Sequence, residues 1–358
     1  MKKLFLFALF AALCCSCTES GTDENTDPNG GSNSGQTTPP DPDSDAKDVI
    51  HVPKGGMLAG ILNELGLKSP SSLKLSGTLG VSDFTTLRNI QSLEHLDISR
   101  VNLSVLPTEA FLECTNIKSV ILPNTLTAIG TQAFWGSSLV SISIPASVEE
   151  IRGSAFFGCS SLKTVTFEKG SKLKTVAGFS NCTSLTTIEI PASVETIGQY
   201  AFNDCTSLHT VTFEKGSKLK TIGSDVFLNC TSLTMIEIPA SVETIEDQAF
   251  EGCSLLATVT FEKGSQLKTV DGFSNCTALT TVDMSACTQV TRIEYRAFYE
   301  DSKLQLFKIG TRTPPSCGRN VFTGINSYSV LKVPAGCVDA YKNATGWKEF
   351  TTISELDE

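Results

Sequence analysis

Apolar residues in this chain return in a short fixed pattern rather than in long helical runs. In residues 159–167, CSSLKTVTF, a cysteine is followed three residues later by leucine and then by alternating apolar and polar positions. Six such cysteines between residues 159 and 276 are spaced 23, 23, 25, 23 and 23 residues apart. A repeat of about 20–29 residues with this alternation predicts short parallel strands stacked into a solenoid.

The alternating motif extends beyond the cysteines and predicts about ten rungs. Apolar side chains should point into the core and the intervening side chains onto a concave face, with neighbouring strands about 4.8 Å apart. The leading apolar residues are Leu93, Ile117, Leu139, Leu162, Leu185, Leu208, Leu233, Leu256, Leu279 and Leu304.

Two kinds of connector alternate between the strands. One reads IPASVExIxxxAF, at 144–156, 190–202 and 238–250, and its proline should end the strand. The other reads FEKGSxLKT, at 167–175, 213–221 and 261–269, and its glycine permits a positive φ. The apolar spacing of Val148, Ile151, Ala155 and Phe156 predicts a short turn or helix on the convex side of the core.

Residues 1–17, MKKLFLFALFAALCCSC, have the pattern of a bacterial lipoprotein signal peptide. The apolar run from residue 4 to 13 is shorter than the roughly 20 residues that cross a bilayer. Ser16, a small residue directly before Cys17, favours Cys17 as the lipidated residue, with Cys15 as the alternative. An ordinary secretory signal peptide is the other interpretation.

Residues 18–48 predict a disordered acidic linker, since they hold no large apolar residue, eight acidic residues and one lysine. Their net charge is −7 and that of residues 1–17 is +2, which leaves −10 + 7 − 2 = −5 for residues 49–358. Without a basic stripe, a nucleic-acid partner is not expected.

The segment IPASVETIGQYAFNDCTSLHTV, residues 190–211, resembles the BspA-type leucine-rich repeats of bacterial surface proteins. The resemblance covers about residues 105–310, and the flanks 49–104 and 311–358 resemble the N-terminal cap with its first rung and the C-terminal cap of Bacteroidetes members. It implies a strand-rich leucine-rich repeat solenoid, monomeric, held at the outer membrane by its lipid and exposed at the cell surface.

The cysteine column is expected to be structural, because equivalent thiols on stacked rungs point the same way and pack as small apolar groups. Cross-rung disulfides and a metal site are the alternatives, although the mature body has no C-x-x-C pair. Cys317 and Cys337 lie off the column and leave a disulfide open. The column consists of Cys114, Cys159, Cys182, Cys205, Cys230, Cys253 and Cys276; Asp301 takes the cysteine position before Leu304.

The concave face offers the candidate binding residues. Its carboxylates fall on alternate rungs, about 10 Å apart, too far to share one Ca²⁺. No metal or cofactor is expected. A solvated polar strip and a shallow recognition surface for a protein or glycan both fit this pattern. The candidates are Thr187, Glu189, Thr210, Thr212, Glu237 and Asp283.

Two further groups carry competing interpretations. Tyr341, Trp347, Phe350 and Ile353 predict an aromatic lid over the last rung, or else a ligand site around Trp347. The Glu-Lys pairs at 168–169, 214–215 and 262–263 are interpreted as surface charge pairs that aid solubility.

Catalysis is not expected, since His51, His95 and His209 lie in different regions without a surrounding motif. The family resemblance implies non-catalytic adhesion to a host matrix protein, other cells or glycans. Glycan capture for a polysaccharide-uptake system is the alternative. A solenoid polysaccharide-degrading enzyme, with its site in the irregular stretch 284–329, is a remote third.

Overall fold

The computed structural model describes residues 48–357. The predicted signal peptide, with Cys14, Cys15 and Cys17, and all of the acidic linker but Asp48 lie outside the described residues. The described part is a parallel β-solenoid of about 13 turns with little helix.

Each turn of the solenoid contributes strands to two faces. Most turns carry one longer strand and one strand of two residues, and the two series alternate along the chain. The longer strands are β1 (Val49–Val52), β2 (Ser72–Gly77), β3 (His95–Val101), β5 (Ser119–Ile121), β7 (Ser141–Ile144), β9 (Thr164–Phe167), β11 (Thr187–Ile190), β13 (Thr210–Phe213), β15 (Met235–Ile238), β17 (Thr258–Phe261), β19 (Thr281–Met284), β21 (Leu306–Ile309), β23 (Val330–Val333) and β24 (Thr352–Glu355).

The two-residue strands form one ten-stranded parallel sheet, and the longer strands form an eight-stranded and a six-stranded sheet that meet between β13 and β15. The short strands are β4 (Val105–Leu106), β6 (Ala128–Ile129), β8 (Glu150–Ile151), β10 (Thr175–Val176), β12 (Thr196–Ile197), β14 (Thr221–Ile222), β16 (Thr244–Ile245), β18 (Thr269–Val270), β20 (Arg292–Ile293) and β22 (Ser316–Cys317).

Helix is confined to the two ends of the described chain. The helices α1 (Leu58–Glu64) and α2 (Val81–Asn89) belong to the N-terminal region, and α3 (Val338–Asn343) with a 3-10 helix (Trp347–Glu349) belongs to the C-terminal region. Within residues 48–357 the α-helices are six to nine residues long, and none could cross a lipid bilayer.

The ten predicted rungs correspond to β3 and the longer strands through β21, but the prediction of about ten was too low. β1 and β2 precede that series and β23 and β24 follow it, so the flanking regions are themselves built as rungs. The segment around Val148–Phe156 contains β8 and turns rather than a helix. The repeated pair of Thr with Ile or Val in the connectors forms the second sheet, which the sequence reading did not identify.

A continuous column of phenylalanine rings runs through the core. Successive ring centroids from Phe111 to Phe322 lie 4.8–5.8 Å apart with planes within 19° of each other, and Phe84 caps the column edge-on. Because each rung supplies one ring and cannot cover both of its faces, each ring is buried only by its neighbours. The stacked rings are Phe111, Phe134, Phe156, Phe179, Phe202, Phe227, Phe250, Phe273, Phe298 and Phe322.

The cysteines connect neighbouring rungs through hydrogen bonds to the main chain of these phenylalanines. The amide of Cys205 donates to the carbonyl of Phe202 in its own rung at 3.1 Å, and its thiol donates to the carbonyl of Phe179 in the preceding rung at 3.2 Å. The same thiol bond recurs at Cys159, Cys182, Cys230, Cys253 and Cys276, at 2.9–3.3 Å. A buried thiol therefore fills the space of a small apolar group and also satisfies a buried carbonyl.

A left-handed residue stands before each cysteine of the run and turns the chain into the next strand. Gly158, Asn181, Asp204, Asn229, Gly252 and Asn275 have φ between 56° and 71°. Glycine, asparagine and aspartate are the residues that adopt this conformation at low cost. The G/N/D-C dipeptide is thus a local signal for the turn.

Asp301 breaks the cysteine column at a fully buried position. Its Oδ1 accepts the amide of Cys276 at 2.8 Å, whereas no partner for Oδ2 is found within residues 48–357. Burial raises the pKa of Asp301 well above its ordinary value, because the carboxylate would lose its hydration there. The folded chain therefore holds this proton more tightly than the unfolded chain does.

That difference predicts a pH dependence of stability. Since the raised pKa makes the folded state bind the proton more tightly, the free energy of unfolding should fall as pH rises from about 4 toward the folded-state pKa. Asp301→Asn keeps an oxygen acceptor but does not titrate, so its stability relative to the wild type should increase with pH. Urea unfolding from pH 4 to 8 measures this; the exposed Glu189→Gln controls for loss of one charge. Parallel pH profiles for the Asp301→Asn variant and the wild type would contradict the assignment.

Candidate functional site

The outward side chains of the longer strands form a polar surface, here called the threonine face. It is defined by Thr164, Thr166, Thr187, Glu189, Thr210, Thr212, Met235, Glu237, Thr258, Thr260, Thr281 and Asp283. The first eight are exposed and the last four are half-buried. Five of the six candidate residues, Thr187, Glu189, Thr210, Thr212 and Glu237, thus belong to the open part of the face, and Asp283 does not.

Strand pairing across the threonine face alternates between tight junctions, where neighbouring longer strands match four residues, and open junctions, where they match one residue or none. The pairs β7–β9, β11–β13, β15–β17 and β19–β21 each match four residues in register. By contrast, β5–β7 and β9–β11 match one residue each, and β13 and β15 share no ladder at all. The two-rung repeat seen in the sequence is therefore also a repeat of tight and open strand junctions.

Proline accounts for part of this alternation. At the tight junctions the amides of Glu168, Glu214 and Glu262 donate to the strand-end isoleucine carbonyl of the preceding rung at 2.9–3.0 Å. At the open junctions this position is Pro145, Pro191 or Pro239, which has no N–H to donate.

The β17–β19 and β3–β5 junctions show how far proline accounts for the open strand pairing. Ser285 occupies the same position after β19, and there β17–β19 keeps three pairs. Proline alone does not open the sheet, since β3–β5 also keeps three pairs ahead of Pro123.

The open junction between β9 and β11 contains a recess of about 460 Å³. Its floor includes the apolar residues Val165, Phe167, Ile188 and Pro191, and its walls are polar. Phe167 is only partly buried there. Phe261, the equivalent residue at the β17–β19 junction with its three matched pairs, is buried. The wall residues include Thr166, Lys169, Thr187, Glu189, Thr212 and Glu214, so three of the six candidate residues line one concavity.

The carboxylates of the threonine face differ in their partners. Within residues 48–357 no hydrogen bond or ion pair engages Glu189 or Glu237, and both are exposed. Asp283 accepts the amide and hydroxyl of Ser285 and pairs with Lys308 at 2.9 Å. Burial opposes ionisation of Asp283, but these contacts outweigh it and lower its pKa. The negative charge of Asp283 is thus already compensated by Lys308, whereas no ion pair compensates the charges of Glu189 and Glu237 within residues 48–357.

The sequence reading missed Lys308, which occupies the next rung of the same column. The signal was present in the alternation LFKI at Leu306–Ile309, where lysine takes the outward position.

The glutamates of the E-K-G-S loops do not pair with the lysines beside them. Glu214 Oε2 accepts the amide of Ala192 in the preceding rung at 2.9 Å, and Glu168 and Glu262 make the same contact with Ala146 and Ala240. These carboxylates fasten the proline-containing turn of one rung to the loop of the next. The interpretation of these Glu-Lys pairs as surface charge pairs is therefore wrong for the glutamates, which connect one rung to the next.

The column thiols are enclosed in the core. All seven column cysteines are buried and free, and burial raises the pKa of Cys205 and Cys253 to about 12. Because the thiolate is the nucleophile and the metal ligand, thiols with so high a pKa are inert at neutral pH. Cys159 differs, since hydrogen bonds with Cys182 and Ser137 lower its pKa, but its side chain is fully buried like the others. Cys317 and Cys337 are also free thiols, so the disulfide left open by the sequence is not formed here.

Other chemistry-bearing groups remain scattered. His51, His95 and His209 contact Ser76, Ser119 and Thr210 respectively, at three separate places. Among the described residues no cluster of His, Cys, Asp or Glu is suited to hold a metal ion.

A second recess, of about 230 Å³, adjoins the loops that follow β16, β18 and β20. It is lined by Asp247, Glu251 and Asp271 together with Arg296. Burial raises the pKa of Asp271 to about 7. The guanidinium of Arg296 already lies over the rings of Tyr295 and Tyr299, at 5.0 and 4.7 Å, and occupies the cation-binding surface of those rings.

The C-terminal aromatics are packed inward. Trp347 is fully buried, donates from Nε1 to the carbonyl of Pro315 at 2.9 Å, and contacts Phe322 and Tyr341. Ring contacts to Phe350 complete the cluster. Trp347 therefore presents no surface on which a ligand could stack.

The chain matches the family model described as the BspA type leucine rich repeat region, in six copies over residues 82–177, 175–305 and 269–353. It belongs to the BspA-type leucine-rich repeat family. This confirms the resemblance drawn from residues 190–211 and the fold class that it implied. Members of this family are repeat proteins that generally act as non-enzymatic scaffolds.

Solved structures of other bacterial leucine-rich repeat proteins resemble this BspA-type chain. One from Bacteroides ovatus is 21% identical, with a TM-score of 0.50, and the match covers 86% of this chain and 92% of that one. A leucine rich cell surface protein from Faecalibacterium prausnitzii is 23% identical over 60% of this chain and 72% of that one, with a TM-score of 0.36. The T. pallidum leucine rich repeat protein is 22% identical over 70% and 82%, with a TM-score of 0.34.

A comparison with curated protein sequences gave no significant match. At these identities the first structural likeness supports the solenoid fold of the BspA-type chain and carries no further assignment.

Proposed function

We propose that this protein is a non-catalytic binding protein whose ligand contacts the open part of the threonine face. The observation that carries the proposal is the recess between β9 and β11, where a polar rim with the unpaired carboxylate Glu189 surrounds an apolar floor. Concave sites with a mainly apolar floor and a few placed polar groups are typical of binding surfaces. Membership of a family of repeat scaffolds supports the same interpretation.

Adhesion is the role that this surface supports best. The threonine face has no exposed aromatic ring among its defining residues, and such rings are the usual platform for a sugar. Capture of glycans for uptake therefore has less support than attachment to a protein of the host matrix or of another cell. The ligand would be held by shallow polar contacts, anchored where the sheet opens.

Cell-surface display completes the proposal. The pattern of residues 1–17 supports lipidation at Cys17 and attachment to the outer membrane, with the acidic segment that follows as a spacer. A segment of this composition is typical of a flexible spacer between a lipid anchor and a folded body.

The first prediction concerns the ligand. The mature protein, immobilised and screened against matrix proteins and a glycan array, should bind at least one of them. Glu189→Ala with Glu237→Ala should weaken binding about tenfold or more, because charge-assisted hydrogen bonds contribute roughly 1.5–3 kcal/mol each. The melting temperature should hardly change, since both side chains are exposed and unpaired.

Glu195→Ala with Glu243→Ala is the matched control for that experiment. It removes the same charge from the side of the short strands, where the two glutamates pair with Lys174 and with Lys220 and Lys268. Binding to neither set of ligands, or equal weakening by both double variants, would contradict a site on the threonine face.

The second prediction concerns location. Trypsin added to intact cells should remove the protein, because a lipid-anchored body outside the outer membrane is accessible to the protease. A periplasmic protein should remain intact in the same sample as a control for cell integrity. Full protection of this protein would contradict surface display.

A further inference from the structure

The open strand junctions of the threonine face recur with the two-rung period of the sequence. The recess at β9–β11 is built on Phe167 and Pro191, and the same residue types return at the β13–β15 junction as Phe213 and Pro239. Phe213 is only partly buried, and Met235, the first residue of β15, is 58% exposed. The phenylalanine rings of the four rungs that form these junctions are 4.8, 5.6 and 5.5 Å apart, so the two junctions lie roughly 10–11 Å from each other along the solenoid.

Each junction also presents the same arrangement of charge. Lys169 and Glu189 line the first recess, and Lys215 and Glu237 hold the equivalent sequence positions at the second. No ion pair engages any of these four side chains within residues 48–357, because the loop glutamates are turned to backbone amides instead. A ligand that follows the solenoid axis would therefore meet a base and an acid once in every two rungs.

The main chain at each junction is open as well. Pro191 and Pro239 have no N–H, so the carbonyls of Phe167 and Phe213 do not receive the strand-end bond that is present at the tight junctions. A ligand with unused main-chain donors could reach these acceptors. Among extended polymers, a polyproline II polypeptide has its backbone groups unpaired along its whole length.

We propose, building on the proposed function, that the threonine face binds a polyproline II segment that carries a proline at every third residue, with acidic and basic residues between. Equivalent side chains of polyproline II recur about every 9.3 Å, so two anchors fall within about 1–2 Å of the junction spacing. Same-side residues of a β-strand recur about every 6.7 Å and would miss the second junction by roughly 3–4 Å. The prolines occupy the apolar floors and the charged residues meet the rim.

The test uses synthetic peptides and the mature protein. Six repeats of Pro-Glu-Lys should bind, as measured by calorimetry, whereas peptides of the same length with proline at every second or fourth residue, and Glu and Lys at the other positions, should bind at least about tenfold more weakly. A peptide with a single central proline should lose roughly a hundredfold, because the second anchor then contributes nothing. Equal affinity for all spacings, or no binding of the three-residue repeat, would overturn the proposal.

A matched pair of variants locates the contact. Thr187 lines the first recess, and Thr281 holds the equivalent strand position at the β17–β19 junction, which has no proline and keeps three pairs. Thr187→Trp should reduce affinity for the three-residue repeat about tenfold or more, while Thr281→Trp should not. Circular dichroism and the melting temperature confirm that both variants are folded. Equal effects of the two substitutions would overturn the placement.

The two proposals fail separately. A matrix protein or glycan whose binding depends on Glu189 and Glu237, together with no binding of the proline repeat, would leave the binding face intact and overturn the polyproline inference. Absence of every ligand would count against both.

Discussion

A rung of this solenoid cannot bury its own apolar face, and this constraint governs the rest of the structure. Each inner phenylalanine of the column is covered above and below by the rings of adjacent rungs, about 5 Å away, and the two end rings are covered by aromatic rings of the terminal regions. In the five rungs from Cys159 to Cys253, the cysteine amide and thiol donate to two successive phenylalanine carbonyls. Side-chain stacking and main-chain hydrogen bonding therefore enforce the same register between rungs.

Because register is held from inside, the outer face is free to vary. The β13–β15 junction has no strand ladder, yet the thiol of Cys230 still reaches the carbonyl of Phe202 at 3.2 Å and the rings of Phe202 and Phe227 still stack. The core thus holds rungs together where the sheet opens. Opening exposes apolar floor and main-chain acceptors beside unpaired charges, which are the elements of a binding surface. Under the proposed function, binding and stability depend on opposite sides of the same strands.

Much of this arrangement could be predicted from residues. The spacing from Cys159 to Cys276 predicts the rungs and the buried thiols, and the alternation after each leucine identifies which residues of the threonine face point outward. The phenylalanine column was not identified although the Ala-Phe pair recurs in most connectors, because ring stacking depends on the turn geometry between rungs. The flanking rungs were missed because β1, β2, β23 and β24 lack the leading leucine or isoleucine by which the ten predicted rungs are recognised.

The candidate binding surface was predictable only in part. Glu189 and Glu237 were chosen because their strand positions face outward, a property of single strands. The partners of Asp283 and the bridging role of Glu168, Glu214 and Glu262 depend on contacts between rungs, which no single repeat encodes. The recess itself arises where Pro191 fails to pair with the rung before it.

The claim that rungs stabilise only their neighbours is tested most directly by two double-mutant cycles of Phe→Leu substitutions, followed by urea unfolding. Phe179 and Phe202 stack with centroids 5.6 Å apart, whereas Phe179 and Phe273 are four rungs apart. The account predicts a coupling of about 0.5–1.5 kcal/mol for the adjacent pair. For the distant pair it predicts additivity to within about 0.3–0.5 kcal/mol. Equal coupling in both cycles, or none in the adjacent pair, would contradict it.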